Sequence, residues 1–200
     1  MTINNLDEET LCECTKALTL ALGHKDLHTQ LHSERVIELS QELGIACGLD
    51  SEEIKSLRVS AAFHDIGKIG IPDSILLKSS SFERDEWEIM QTHSARGEEI
   101  VEALRLKNNN LISKGVRHHH EYFNGEGYPD RLKGEDIPIM SRIISICDSY
   151  DGMASPRPYH QKRSHKEVLA VLQEEKGKKH DPEILDKFLE LIETSSYKVS

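Results

Sequence analysis

Apolar residues recur at three- and four-residue steps along most of the chain, and alternating runs of Val, Ile and Tyr are scarce, so the pattern predicts an all-helical protein. Leu6, Leu11, Leu18 and Leu22 mark a first helix over 6–22, with Gly23 as its stop. A second is predicted over about 26–43, with Val36, Leu39 and Leu43 on a buried stripe and His28 and His32 one turn apart on one face. Asp50 or Ser51 caps a third, at about 52–66, whose end delivers His64 and Asp65; if it continues, Lys68 shares a face with His64. Gly67 and Gly70 let the chain leave that helix, and Pro72 keeps it from restarting at once. After a turn-rich piece at 72–81, one long helix is predicted over 83–104, with Trp87, Met90, His93, Gly97 and Ile100 on its buried side. Asn108 to Asn110 break the chain, and a fifth helix ends in His118, His119, His120 and Glu121. Residues 124–138, with three glycines and two prolines, form an irregular surface loop. Helices follow at 139–154, 164–175 and 181–192, the last with Asp181 as cap and Pro182 in its first turn. The expected architecture is a single-domain helical bundle, with residues 1–24 as an N-terminal helix extending the domain formed by 25–200.

Composition narrows the setting. A hydrophobic share of 37% over 200 residues supports one core. The formal charge of -10 argues against DNA and against an anionic membrane surface as partners. Cys12, Cys14, Cys47 and Cys147 form neither a zinc set nor a disulfide framework, which suits reduced thiols in the cytoplasm. The most apolar late segment, 137–147, is interrupted by Arg142, and no signal pattern opens the chain.

Eleven histidines are the anomaly. Within AAFHDIGKIGIP (61–72), a small apolar run carries His64 and Asp65 side by side with Lys68 close behind, a poor core design and a good metal site with an anion clamp. His32, His64, Asp65, His93, His119, His120 and Asp148 all fall at or near the buried faces or ends of predicted helices. Five imidazoles and two carboxylates exceed the needs of one ion, so two divalent transition metals bridged by Asp65 are expected. Alone, His93 would more often be a core residue. His118 reads as solvated or supporting, and His24, His160, His165 and His180 as surface residues. Asp151 is expected to orient a ligand or the loop, Glu121 to bond a ligating imidazole or cap packing, and Cys147 to fill core space.

The segments KDLHTQLHSERV (25–36), HDIGKIGIPD (64–73), MQTHSARG (90–97), HHEYFNGEGYP (119–129), CDSYDGMAS (147–155) and RPY (157–159) resemble, in order, the HD-GYP family of bacterial HD phosphohydrolases. That resemblance implies a helical bundle around two or three ions, iron or manganese, and a signalling role as a phosphodiesterase that opens cyclic di-GMP to pGpG and in some members to GMP. Carried over by position, the seven residues named above resemble the metal ligands, Lys68 a phosphate-binding lysine, and Arg157 a substrate-binding arginine. His28 stands where three-metal members have glutamate and most others tyrosine, so it either ligates a third ion or hydrogen-bonds as the tyrosine would. His160 follows the RPY motif where a base is usual, Asn124 replaces a common aspartate, and Arg131 a common glycine.

The expected chemistry is attack by a metal-bridging hydroxide on phosphorus, with Asp65 and Lys68 as catalytic residues. Substrate contacts are assigned to Lys68, Gly127, Tyr128, Arg157, Tyr159, Lys162 and Arg163; Lys162 or Arg163 replaces the missing base at His160. Expected partners are the cyclic dinucleotide, a diguanylate cyclase or other signalling protein at the GYP loop, and a second copy in a homodimer. Two alternatives stand beside this reading: a weakly active or inactive interaction and sensor module, and a phosphohydrolase for another cyclic dinucleotide or nucleotide.

Overall fold

The computed structural model describes residues 17–18, 20, 22–23, 28–155 and 163–199, with residues 28–31 as backbone only. Nine α-helices follow one another among them: α1 His28–Ala46, α2 Ser51–Phe63, α3 Asp73–Leu76, α4 Arg84–Gln91, α5 His93–Leu104, α6 Asn109–Arg117, α7 Ile139–Ala154, α8 His165–Glu174 and α9 Pro182–Ile192. Short 3-10 turns at Ile66–Gly70 and Gly134–Asp136 complete the regular structure. The all-helical expectation holds, and among the described residues no helix is long and apolar enough to cross a membrane.

Local chemistry sets the helix ends. Asp50 accepts from the backbone N–H groups of Glu52 and Glu53, and Glu53 reaches back to the N–H of Asp50; such a cap is worth about 1 kcal/mol. Ser164 with Glu167, and Asp181 followed by Pro182, start α8 and α9 in the same manner.

The main core gathers Val36, Leu39 and Leu43 of α1, Leu57 and Ala61 of α2, and the inner face of α7 from Met140 to Ala154. Val168 and Leu172 of α8 and Ile184, Leu185, Phe188 and Ile192 of α9 close it from the other side. A second cluster joins Phe63 and Ile66 to Val101, Ile112 and Val116, with Leu22 packed on it. Of the helix expected over 6–22, residues 17, 18, 20 and 22 are described and helical, with Leu22 buried and Leu18 packed on this cluster; Gly23, expected as its stop, is itself helical. At about 1.5–3 kcal/mol for each large apolar side chain fully buried, this packing holds α1, α2, α5, α6 and α7 in one frame.

The structure corrects several expectations. The third predicted helix ends at Phe63: His64 Nδ1 lies 2.7 Å from the carbonyl of Ala61, and Asp65 takes φ -99° and ψ 0° to enter the 3-10 turn. His64 and Lys68 therefore do not share a continuous helix, and Lys68 pairs instead with Asp65. Pro72 does not delay the chain; it is the N-cap of α3. The long helix over 83–104 is two, divided at Thr92, whose hydroxyl donates to the carbonyl of Ile89 and accepts from Arg96 Nε, a back-bond that bends helices. Trp87 lies on the exposed side of α4, not the buried one. The fifth helix stops at Arg117, so His118 to His120 form a turn and Glu121 follows it. His180, expected at the surface, is buried with its Nε2 3.1 Å from Glu175.

Candidate metal centre

Three of the histidines present themselves by one local device. In His64, His93 and His119 the Nδ1 lies 2.6–2.7 Å from the carbonyl three residues earlier, that of Ala61, Met90 and Val116 respectively. Donation of Nδ1–H to that carbonyl leaves Nε2 with its lone pair free and aimed inward. His32 uses a carboxylate for the same purpose: Asp151 Oδ2 accepts from Nδ1 at 2.7 Å, while Nε2 lies 3.0 Å from Asp148 Oδ1. Arg35 and Ser155 hold Asp151 in turn.

Two triads result. His32, His64 and Asp148 offer ligand atoms all within 4.8 Å of one another, as do His93, His119 and His120. Asp65 stands between them, with Oδ2 3.4 Å from His64 Nε2 of one triad and Oδ1 3.6 Å from His93 Nε2 of the other. Lys68 Nζ donates to Asp65 Oδ2 at 2.6 Å.

The donor set fits a metal. His64 Nε2 is buried with no hydrogen-bond partner, an expense a protein seldom bears without an occupant. The Nε2 atoms of His93 and His119 face each other at 3.4 Å, so with Nδ1 as donor in both rings two lone pairs oppose and call for a cation.

Burial lowers the pKa of His93, His119 and His120, His119 to about 3, and nearby imidazoles reinforce it; these rings are neutral and ready to ligate. His32 runs the other way: burial opposes its charge, yet hydrogen bonds to Asp148 and Asp151 raise it to about 9. Asp65 is desolvated, but Lys68, His64 and His93 hold its carboxyl well below the usual range, and His32 and His64 do so for Asp148.

All seven residues expected as ligands thus converge. Gly127 packs on the backbone of His120 to Tyr122, where any Cβ would meet Tyr122 N at 2.2 Å. The ring of Tyr128 lies 4.9 Å from that of His120 and 6.4 Å from that of His93. Arg163 is turned to Met153 Sδ, 3.5 Å away. Arg157, Tyr159 and Lys162 lie outside the described residues, as does the side chain of His28, one turn before His32 on α1. Among the described residues Glu121 bonds no imidazole; its oxygens accept from the backbone N–H groups of Asp130 and Leu132, tying down the loop. Arg35, Glu98, Arg117 and Asp130 were not singled out from sequence. Each works through a partner at least 13 residues away, beyond the reach of helical periodicity.

Residues 17–184 match the HD domain family. Among curated proteins, a cyclic di-GMP phosphodiesterase of Thermotoga maritima is 36% identical over 187 residues, covering 92% of this chain and 50% of its own length. The cyclic di-GMP phosphodiesterase response regulator RpfG of Xanthomonas campestris pv. campestris is 35% identical, with coverages of 91% and 48%. The 3'3'-cGAMP-specific phosphodiesterase 2 of Vibrio cholerae is 33% identical, with coverages of 91% and 35%. The chain spans half or less of the length of these relatives. Among solved structures, the cyclic GMP-AMP specific phosphodiesterase V-cGAP3 of V. cholerae superposes with a TM-score of 0.70 at 21% identity, over 92% of this chain and 49% of that one. An HDG"Y"P protein of Bdellovibrio bacteriovorus gives 0.68 at 17% identity, over 94% and 65%. These two likenesses concern the fold.

Proposed function

The chain belongs to the HD domain family, which is metal-dependent, and on that premise we propose that it is a phosphodiesterase hydrolysing cyclic di-GMP to pGpG, and in a further cut to GMP. The observation that carries the reading is Asp65, which directs one oxygen to each of two ligand triads. His32, His64 and Asp148 would hold one ion, His93, His119 and His120 the other, with Asp65 between; so imidazole-rich a set suits a first-row transition metal, and the HD-GYP resemblance points to iron or manganese among these. Bound there, the ions supply Lewis acidity toward phosphoryl oxygens and lower the pKa of water. His28 either holds a third ion or hydrogen-bonds as a tyrosine would.

The chain's own groups supply the rest. Lys68 keeps a quarter of its side chain exposed while its ammonium sits on Asp65, so it can swing a point charge to a non-bridging phosphate oxygen. Tyr128, packed on His120, walls the centre and offers a ring face to a base. Gly127 permits that packing because its backbone lies against His120 to Tyr122. Arg157, Tyr159, Lys162 and Arg163 are assigned to base and phosphate contacts from sequence, and the loop to docking of a diguanylate cyclase or similar signalling partner.

The test uses protein purified without air, its metals counted, reloaded with iron or manganese and incubated with cyclic di-GMP. Linear pGpG or GMP that vanishes in Asp65→Ala supports the reading. Relatives named as 3'3'-cGAMP-specific favour running cyclic GMP-AMP in parallel. Turnover of that substrate alone would replace the first one. No product from either, with Asp65→Ala still binding a partner protein, would favour the interaction module.

A further inference from the structure

The segment that follows the histidine turn is held by backbone contacts, from Phe123 and Asn124 to the carbonyls of Lys179 and Lys178 and from Asp130 and Leu132 to Glu121, and its Asp130 side chain is fastened separately, outside the metal centre. Arg117, the last residue of α6, reaches both oxygens of Asp130 through Nε at 2.7 Å and Nη2 at 2.9 Å. Its Nη1 donates to Glu98 of α5 at 2.6 Å, and His118 Nε2 lies 2.9 Å from Asp130 Oδ2. One guanidinium therefore joins α5, which begins with His93, to the end of α6, which leads into His119 and His120, and to the loop two residues beyond Tyr128. On its other side the loop faces a cleft of about 640 Å³, lined by Glu88, Gln91 and Thr92 across from Gly125 to Pro129 and Arg131. Tyr128 lines that cleft, and the side-chain bonds at Asp130, with those of Glu121 to the backbone of Asp130 and Leu132, oppose its movement away from the imidazoles.

We propose that Arg117 and Asp130 are positioning residues: their clasp holds Tyr128 against His93 and His120 and so tightens binding of an ion by His93, His119 and His120. The ion half of this statement rests on the two-ion reading above. The side chains of Arg117 and Asp130 are 26% and 37% exposed, so the pair adds little to global stability. Its two-point geometry is what matters, because a bidentate guanidinium–carboxylate pair fixes orientation as well as distance.

Trp87 provides a readout independent of turnover. It is the one tryptophan of the chain, and its ring lies 6.0 Å from that of Tyr128, edge to face. Tyr128→Ala sets the emission expected when that contact is lost. Asp130→Asn and Arg117→Gln, melting within a few degrees of wild type, should move Trp87 emission toward the Tyr128→Ala value. In a Mn2+ titration each should weaken one of two binding steps about tenfold and leave the other alone, and Asp130→Glu should recover part of both effects.

Emission unchanged in both variants overturns the clasp. Shifted emission with an unchanged Mn2+ titration keeps the positioning of Tyr128 and overturns its effect on the ion. If the wild type itself takes up only one Mn2+, the two-ion reading fails, and the emission comparison still decides the clasp. Should Asp130→Asn fail to fold, Arg117→Gln carries the same comparison.

Discussion

Gly67→Ala tests how closely the 3-10 turn must approach α5 to place Asp65. A methyl group on Gly67 would lie 1.8 Å from the carbonyl oxygen of His93, 2.6 Å from Gly97 N and 2.8 Å from His93 C. All three are backbone atoms, so no rotamer change relieves the overlap. Restoring an ordinary contact of about 3.5 Å requires the turn and α5 to separate by more than about 1.5 Å. That separation acts on the 3.6 Å approach of Asp65 Oδ1 to His93 Nε2, the contact through which Asp65 reaches its second triad. Overpacking typically costs 1–3 kcal/mol, and with rigid neighbours we expect about 3 kcal/mol. In urea this lowers the midpoint by about 1 M if m is about 3 kcal/mol/M. Metal analysis should show the variant retaining fewer ions than wild type. Gly134→Ala is the control: it sits at φ +59° in open space, so it carries backbone strain of about 1–2 kcal/mol but no clash and no path to the centre. The reasoning is refuted if Gly67→Ala loses no more stability than Gly134→Ala and keeps wild-type metal content.

Further expectations follow from the same geometry. Freed of metal by a chelator, the protein should be most stable near pH 6.5. Above it, His32, whose pKa is raised to about 9 from 6.5, loses its Nε2–H bond to Asp148 and its charge attraction to both carboxylates as it deprotonates, keeping Nδ1–H on Asp151, a contribution of about 3 kcal/mol that fades as pH climbs through 9. Below it, His93, His119 and His120, held neutral by burial, favour the unfolded chain, which takes up their protons. A monotonic pH profile of urea midpoints would contradict this. Asp151→Asn should weaken ion binding at the His32 triad by about 10–100-fold, measured by Mn2+ titration, because His32 loses the carboxylate that orients Nδ1. Asp50→Ala should cost about 1 kcal/mol in urea with no change in metal content, since it removes only the cap of α2.

What the sequence determined by itself was chemical type and local placement. Helical spacing located α1, α7, α8 and α9 within a few residues, because each has a buried stripe and most have a capping signal. That His32, His64, Asp65, His93, His119, His120 and Asp148 come together was legible in the sequence, because few other arrangements would tolerate so many imidazoles among apolar residues. The tertiary structure decided their grouping. Nothing in a periodic pattern says that His32 pairs with Asp151, 119 residues away, or that Asp65 divides its oxygens between two triads. Side-chain back-bonds at His64 and Thr92 ended or split helices that apolar periodicity had drawn as continuous, because a short polar contact to a carbonyl competes with the helix bond and leaves no trace in hydrophobic spacing. His180 is polar in sequence yet buried, since Glu175 supplies a partner that only the turn between α8 and α9 brings near. Residue identity and short-range bonds are local properties of the chain; which side chains meet depends on how α1, α2, α5, α6 and α7 pack, and that is settled by the shared core.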